Sequence, residues 1–525
     1  MGMILAVFSG IVTALALPNE LFPTGSVVLG LICVVPYFIA LARADTGLDA
    51  ARMGAVYGAV STAASNYWLA FFRDFSVWTL GGTTAGYALI HAFFAPILMR
   101  LLRERELWRP FAVAATWAGY EYLKSVGFLA YPWGLLAYPP SEILVYVQHV
   151  EVTGIWSLSF ITAAANGVLA DLFLRTDTVA SPVARRIRAP DAALRSGAFV
   201  LILVALAVGF GMWRYANPIP VSRTARVALV QHNADQWRPG EEERSMRRAQ
   251  QLTRDALAAG DAQIDLVAWS ETTLQRPYPE NPRFYRTRPE GDPLVPFLKE
   301  IDTPLVTGAP VVLDAETGAI MNGAVLIEPS GRMAADYGKQ HLVPLAENIP
   351  FWNLEPVRRF YRDVIGIGGG WTVGPGHKVF AVTSAGNPEE TIRFGPPICF
   401  EDSFGYLTRG FVLLGGDILV NLTNNSWSRT ESAQIQHFVS ARFRAIENRT
   451  ALARATNSGL TTIVDAYGRV LDELPMFEPG VLVADVPIYE TENFTLYTMY
   501  GDWLGKLFVA IAVLLAGGLY LRDYG

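Results

Sequence analysis

Uncharged apolar stretches at residues 1–19, 21–42, 53–72, 75–99, 152–170 and 196–213 are each long enough to cross a hydrocarbon layer of ~30 Å as a helix. Wherever such a chain meets lipid its backbone must be satisfied within helices, so the part before residue 218 is expected to be a helical membrane domain. Two further stretches are shorter. Residues 110–120 run into Glu121 and Lys124, and residues 507–521 lie between Lys506 and Arg522, whose long side chains reach toward the interfaces. Eight spans are therefore expected, seven ahead of a large domain and one behind it. Ala14-Leu15-Ala16 mimics a signal-peptidase box, but no Lys or Arg precedes it, so the first segment is expected to stay as an anchor.

The basic residues of the short loops set the orientation. With the N-terminus inside, the cytoplasmic loops hold Arg43 and Arg52, then Arg100, Arg103, Arg105 and Arg109, then Arg175, Arg185, Arg186, Arg188 and Arg195, and finally Arg522. The short loops opposite hold only Arg73 and Lys124. An odd number of spans precedes the domain that starts near Ile219, which is therefore expected outside the cytoplasm; in a bacterial cytoplasmic (inner) membrane that would be the periplasmic side.

Composition removes other classes. With 51% hydrophobic and 17% charged residues, a disordered or purely soluble chain is excluded. Forty-two basic against 48 acidic residues, a net charge of −6, leave no positive field to hold nucleic acid. There are two cysteines, Cys33 in an apolar run and Cys399 in the polar half, too few for a disulfide framework or a cysteine-based zinc site.

From Arg226 to Val486 the pattern changes to short apolar runs separated by amphipathic stretches. Strands are expected at 226–231, 264–269, 305–307, 324–328, 392–399, 418–422, 451–455 and 461–464, with helices at 241–259 and 432–448. The alternation argues for an α/β layered domain, and no internal repeat is visible. Residues 349–371 depart from it, gathering Phe351, Trp352, Phe360, Tyr361 and Trp371 around Gly366, Gly368, Gly369 and Gly370. Such a loop either dips into lipid or closes as a lid, or simply covers a core.

No G-x-S-x-G elbow, G-x-x-x-x-G-K-[ST] loop or intact G-x-G-x-x-G is present, and the six histidines lack H-E-x-x-H spacing. What remains is polar residues at the ends of expected strands: Glu271 after Leu266-Val267-Ala268-Trp269, Lys339 after Asp336-Tyr337-Gly338, and Cys399 ahead of Phe400-Glu401-Asp402. A thiol nucleophile needs a base for its proton and a positive group for the oxyanion, and Glu, Lys and Cys supply these without histidine. Singly, each has a plainer reading as a solvated cap, a surface lysine and a small core thiol.

The order and flanking words of the three carry more. Trp269-Ser270-Glu271-Thr272, then Gly338-Lys339-Gln340-His341-Leu342-Val343-Pro344 followed by Glu347, then Pro397-Ile398-Cys399-Phe400-Glu401, resembles the Glu–Lys–Cys signature of the nitrilase (carbon–nitrogen hydrolase) superfamily. With transmembrane segments on both sides, the chain resembles the membrane-embedded branch of that superfamily, the apolipoprotein N-acyltransferase family. Asn424-Asn425-Ser426-Trp427, Gln436-His437, Arg444-Ala445-Ile446-Glu447-Asn448-Arg449 and Arg454-Ala455-Thr456-Asn457-Ser458-Gly459 are similar to further family words in the same order.

The resemblance implies eight transmembrane helices, seven in 1–218 and the last in 496–525, around an extracytoplasmic nitrilase-like αββα sandwich at 219–495. It implies Glu271 as general base, Lys339 as oxyanion-stabilising cation, Cys399 as nucleophile and Glu347 as a second carboxylate near the lysine, with Phe400 and Glu401 in support. Phe400 stands where the family shows Tyr, and keeps a backbone N–H able to line an oxyanion hole; Ser270 and Asn425 replace the usual Pro and Asp. Trp237, Trp427, Phe351 and Trp352 are expected to contact substrate. The implied reaction moves an acyl chain from a membrane phospholipid through a Cys399 thioester to the α-amino group of a diacylglyceryl-modified cysteine at a lipoprotein N-terminus, with no metal or other cofactor. Two other readings stay open: a membrane-anchored amidase using the same residues with water as acceptor, and a non-catalytic membrane binding protein or permease.

Overall fold

The computed structural model describes all residues except 73–75, 105–107, 177–189, 236–237, 239, 261–262, 345, 350, 353, 366–368, 491–492 and 525. The chain divides into a helical unit, Met1–Pro218 with Thr430–Val439 and Asp502–Gly525, and an α/β unit, Ile219–Arg429 with Ser440–Gly501.

Among the described residues of the helical unit, four helices are long and apolar enough to cross a membrane: Trp78–Leu102, Trp156–Leu174, Ala192–Ala216 and Trp503–Arg522. They fall on the stretches expected at 75–99, 152–170, 196–213 and 507–521. The other expected spans are shorter or broken. Gly2–Ala16 has 15 residues and Arg109–Lys124 has 16. The stretch 53–72 is helical only as Gly47–Ser65, which starts earlier because the Thr46 hydroxyl accepts from the Asp49 N–H at 3.1 Å.

The stretch 21–42 is not one continuous helix. It splits into Val27–Gly30 and Val35–Ala42, the second carrying Pro36 in its first turn, where the missing N–H costs nothing, whereas a helix continuing from the preceding residues would need it. Asn166 fills the break, its Oδ1 accepting from the Val34 N–H at 3.1 Å and its Nδ2 donating to the Gly30 carbonyl at 2.9 Å. Freed backbone groups are thus satisfied by a neighbouring helix, as an apolar surrounding requires. Gly47–Ser65 packs on Ser76–Leu102 through Gly54 and Gly58, where a Cβ would strike the backbone carbonyls of His91 and Tyr87.

Ionisable residues inside this unit are tied to structural partners. Glu121 accepts from Trp117 Nε1 at 2.9 Å, the Leu136 N–H at 2.8 Å and the Ser159 hydroxyl at 2.5 Å. Arg109 pairs with Asp171 and Arg214 with Glu151.

The α/β unit holds two six-stranded sheets. Its strands are β1 (Val221–Gln231), β2 (Leu266–Trp269), β3 (Leu305–Asp314), β4 (Ala319–Ile327), β5 (Met333–Gly338), β6 (Phe380–Thr383), β7 (Thr391–Gly395), β8 (Ile418–Thr423), β9 (Ala451–Thr456), β10 (Thr462–Val464), β11 (Val470–Glu473) and β12 (Gly480–Tyr489). One sheet runs β12-β1-β2-β3-β4-β5 and the other β11-β10-β9-β8-β7-β6. In each, three parallel strands are followed by two antiparallel ones, and an antiparallel strand closes the opposite edge, β12 on β1 and β6 on β7. The topology therefore repeats although the sequence shows no repeat.

The sheets face one another through β1 and β12 against β9, and β2 against β8. Helices Glu241–Ala259 and Leu294–Ile301 cover the first sheet and Gly405–Leu413 the second, giving an αββα sandwich. Both faces of the central parallel strands are buried, so Leu266–Trp269 reads as an unbroken apolar run and Ile418–Thr423 as an apolar run interrupted by Asn421. The expected strand at 392–399 ends at Gly395. Pro396 and Pro397 cannot donate to a ladder, Ile398 makes only an isolated bridge to Leu422, and Cys399 opens a 3-10 turn, Cys399–Ser403.

Candidate active site

Strand ends bring the candidate residues together. Glu271 lies two residues past β2, Lys339 directly follows β5, Cys399 follows β7 across the two prolines, and Asn424 follows β8. Glu271 is held close by β3, since a side chain on Gly308 would collide with the Glu271 backbone. Glu347 comes from the loop after Lys339, its N–H bonded to the Val343 carbonyl at 2.8 Å and its Oε2 accepting from the Val343 N–H at 2.8 Å.

Lys339 is fully buried, with Nζ 3.3 Å from Glu271 Oε1 and 2.9 Å from Glu347 Oε2. Asn322 on β4 binds the same two carboxylates: its Nδ2 donates to Glu271 Oε1 and to Glu347 Oε1, each at 2.9 Å, while its backbone carbonyl accepts from the Lys339 backbone N–H at 2.8 Å. The second Glu271 oxygen accepts from the Asn424 N–H at 3.0 Å. Asn457 holds the Asn424 side chain, its Nδ2 donating to Asn424 Oδ1 at 3.1 Å.

Cys399 sits at φ +51°, a left-handed conformation unusual for a residue with a side chain, and its thiol lies 3.9 Å from Asn425 Oδ1. The turn is pinned from several directions. Asn421 Nδ2 donates to the carbonyls of Pro397 and Cys399, at 3.2 and 3.3 Å. Asp402 forms a fully buried ion pair with Arg454 at 2.9 Å. Glu401 joins the two halves of the site: its Oε1 accepts from the Gln340 N–H at 2.6 Å, the His341 N–H at 3.2 Å and the Tyr337 hydroxyl at 2.9 Å, while its Oε2 accepts from the Ile398 N–H at 2.8 Å. The loop that carries Lys339 and the turn that carries Cys399 therefore share one carboxylate.

The electrostatics follow from burial and from two carboxylates around one ammonium. Burial first, then the Glu271 carboxylate, pushes the Cys399 thiol well above its usual range, with Lys339 opposing. Burial disfavours the Lys339 ammonium, but the Glu271 and Glu347 carboxylates outweigh it and hold Lys339 well above the usual lysine range. Burial raises Glu401 to about 7 against the pull of its backbone donors. Burial and then Lys339 lower His341 to about 4. The resting thiol is thus neutral beside a base and a permanent cation, an arrangement suited to nucleophilic acyl chemistry in which the thiolate forms only as the base takes its proton. Among the described residues no group of three or more His, Cys, Asp or Glu side chains is placed to hold a metal ion.

Glu271, Lys339, Glu347, Cys399 and Glu401 converge. Phe400 is buried next to them, its ring 5.7 Å from His341 and 4.8 Å from Phe404. Trp427 is half-buried in the turn after Asn425. Phe351 is 70% exposed, and Trp352 is half-buried with its ring 6.4 Å from Tyr361. The next short helix, Glu355–Phe360, buries none of its residues. Trp237 lies outside the described residues. Sequence reasoning missed Asn322, Asn421 and the Asp402–Arg454 pair. The available signal was a lone amide in each of two otherwise buried apolar strands, since buried polar side chains require partners.

Comparison with known proteins places both halves of the chain. Residues 226–494 match the family model for carbon-nitrogen hydrolases, and residues 9–168 match that for the apolipoprotein N-acyltransferase N-terminal domain. Apolipoprotein N-acyltransferase 2 of Treponema denticola is 34% identical over 510 residues, covering 96% of this chain and 95% of its own length. The apolipoprotein N-acyltransferase of Borreliella burgdorferi is 32% identical, covering 95% of this chain and 92% of its own. That of Geobacter metallireducens is also 32% identical, covering 99% and 95%.

Proposed function

The chain belongs to the apolipoprotein N-acyltransferase family, and from that premise we propose that it moves an acyl chain from a membrane phospholipid, through a thioester on Cys399, to the α-amino group of the S-diacylglyceryl cysteine of a lipoprotein. The single observation that carries the mechanism is the burial of the Cys399 thiol beside Glu271 and a lysine held by two carboxylates.

In the first half-reaction Glu271 takes the thiol proton as sulfur bonds to the ester carbonyl carbon. The oxyanion forms beside Lys339 and the Phe400 N–H. The ester C–O bond then breaks, and the leaving oxygen recovers the proton from Glu271, releasing lysophospholipid. In the second half-reaction the acceptor amine attacks the thioester, its proton passes to Glu271, the C–S bond breaks, and the proton returns to sulfur. No net proton is consumed and no cofactor enters. Glu347 and Asn322 hold Lys339 and Glu271 in place between the two steps.

Residues 219–495 form the catalytic domain on the periplasmic side of the inner membrane, between seven spans and an eighth, with the broken stretch 21–42 counted as one. The distribution of Arg and Lys among the short loops supports that orientation. Substrates anchored in lipid keep both reactants at the bilayer surface where this domain is tethered. Trp427, Phe351 and Trp352, with Trp237, contact the lipid substrates.

The test is the fate of the acyl group in mixed micelles of phospholipid and a diacylglyceryl lipopeptide. N-acylated lipopeptide is the expected product. Free fatty acid with no acylated lipopeptide would instead make the chain a hydrolase that uses water as acceptor.

A further inference from the structure

Away from Cys399, the α/β unit carries a cavity of about 520 Å³ where helices Pro282–Thr287 and Leu294–Ile301 meet the turn between β4 and β5. Tyr278, Pro282, Val295 and Pro296 form its walls, and Arg286 and Lys299 stand exposed at its edge. The Tyr278 hydroxyl donates to the Gly331 carbonyl at 2.8 Å, which fixes one wall to the β4–β5 turn.

Several nearby arginines are paired, and among the described residues these two cations are not. Arg254 pairs with Asp292 and Glu300, Arg276 with Glu242, and Arg288 with Glu243. Among the described residues, Arg286 and Lys299 have no carboxylate within the 4.0 Å of an ion pair. A groove of aromatic and proline rings with two unmatched positive charges is complementary to an extended, acidic polypeptide, whose backbone packs on the rings while its carboxylates meet the cations.

The position fits a particular polypeptide. Met333, the first residue of β5, lines the groove, and Lys339 directly follows the last. Six steps along a strand at ~3.3 Å per residue set the groove roughly 20 Å from the catalytic lysine. An extended chain covers that distance in about six residues.

We infer that this groove is a subsite for the polypeptide part of the acceptor, taking an acidic segment that begins about six residues beyond the acylated cysteine. The inference rests on the acyl-transfer reading for the identity of its occupant. It makes the enzyme selective for the residues beyond the lipidated cysteine and not only for the cysteine itself.

Two measurements on the full chain test it. In the first, thioester-loaded enzyme in mixed micelles is given lipopeptides of about three or about twelve residues, the longer ones acidic or neutral beyond position six. The long acidic acceptor should show a KM about three- to tenfold lower than the long neutral one, as expected of exposed ion pairs, and the preference should fade with added salt. Arg286→Glu with Lys299→Glu should erase the preference while leaving the short acceptor and the rate of Cys399 acylation unchanged. A preference that survives the double substitution, or an equal loss with the short acceptor, would overturn the subsite.

The second measurement does not depend on acyl transfer. A fluorescent acidic dodecapeptide without lipid should bind Cys399→Ala protein, and Arg286→Gln with Lys299→Gln should weaken that binding several-fold. Binding that ignores the two cations refutes the groove, whereas absence of a thioester in the parent enzyme would count against the acyl-transfer mechanism and leave the groove to be judged by this peptide.

Discussion

Asn322→Leu isolates the least obvious part of the site. The amide nitrogen donates to Glu271 and to Glu347 at 2.9 Å each, and the residue is only 5% exposed. Leucine keeps the bulk of the side chain and removes the neutral donor common to the two carboxylates. A hydrogen bond to a charged group contributes about 1.5–3 kcal/mol. Lys339 remains bonded to both carboxylates and offsets part of the loss, so a net destabilisation of about 3 kcal/mol is expected.

The catalytic consequence comes from position. Asn322→Leu removes the hydrogen bond by which β4 orients Glu271, and an unfavourable change of about 2 kcal/mol in the acylation barrier corresponds to about 30-fold in rate. The assay pairs thermal unfolding in detergent with the single-turnover rate of Cys399 acylation, read by mass spectrometry of the intact protein. Asn322→Asp, which adds a third carboxylate around one ammonium, should be worse than leucine in both. An Asn322→Leu enzyme that unfolds like the parent and acylates at the parent rate would refute the reasoning.

Glu271→Gln keeps shape but removes the base, and acylation should fall by roughly 10²–10⁴. Lys339→Met should slow both half-reactions by about 10²–10³, whereas Glu347→Gln should behave as a milder lysine variant; equal effects of Glu347→Gln and Glu271→Gln in single-turnover assays would contradict the separate roles. Glu401 sits at about 7 in the fold, above the ~4.3 of an unfolded chain, so the folded state binds its proton more tightly. Its contribution to stability is fully present below about pH 4 and is lost as pH rises through 7, about 4 kcal/mol in all. Glu401→Gln should flatten that part of the stability–pH curve, and an unaltered slope would show that Glu401 does not titrate in this range. Phe351→Ser with Trp352→Ser should leave unfolding unchanged and weaken phospholipid capture, since Phe351 is largely exposed; normal acylation rates in mixed micelles would return the loop to a covering role.

The central strands were legible because burial on both faces leaves them mostly apolar: Leu266–Trp269 is apolar throughout, and Ala451–Thr456 is interrupted only by Arg454 and Thr456. The strands that sequence reasoning missed lie toward the sheet edges. Val470–Glu473 is mostly exposed and Phe380–Thr383 alternates, so neither stands out from a loop. The topological repeat was hidden because it lives in strand direction and pairing, which many sequences satisfy.

Glu271, Lys339 and Cys399 were readable from their flanking words, but the contacts that hold them were not. The partners of Glu401 come from two separate segments, Tyr337 to His341 and Ile398, and only the fold brings the first of them to this carboxylate. The break at Gly30–Val35 was likewise invisible in an uncharged stretch, because the Asn166 amide that makes it tolerable lies on a distant helix.

The claim on which the account stands is that the acyl group passes through Cys399. Purified enzyme exposed to phospholipid alone should gain the mass of one acyl chain on Cys399, and a diacylglyceryl lipopeptide should discharge that adduct while gaining the same mass at its amine. Acyl transfer to the lipopeptide by Cys399→Ala protein, or an adduct that the lipopeptide cannot discharge, would contradict it.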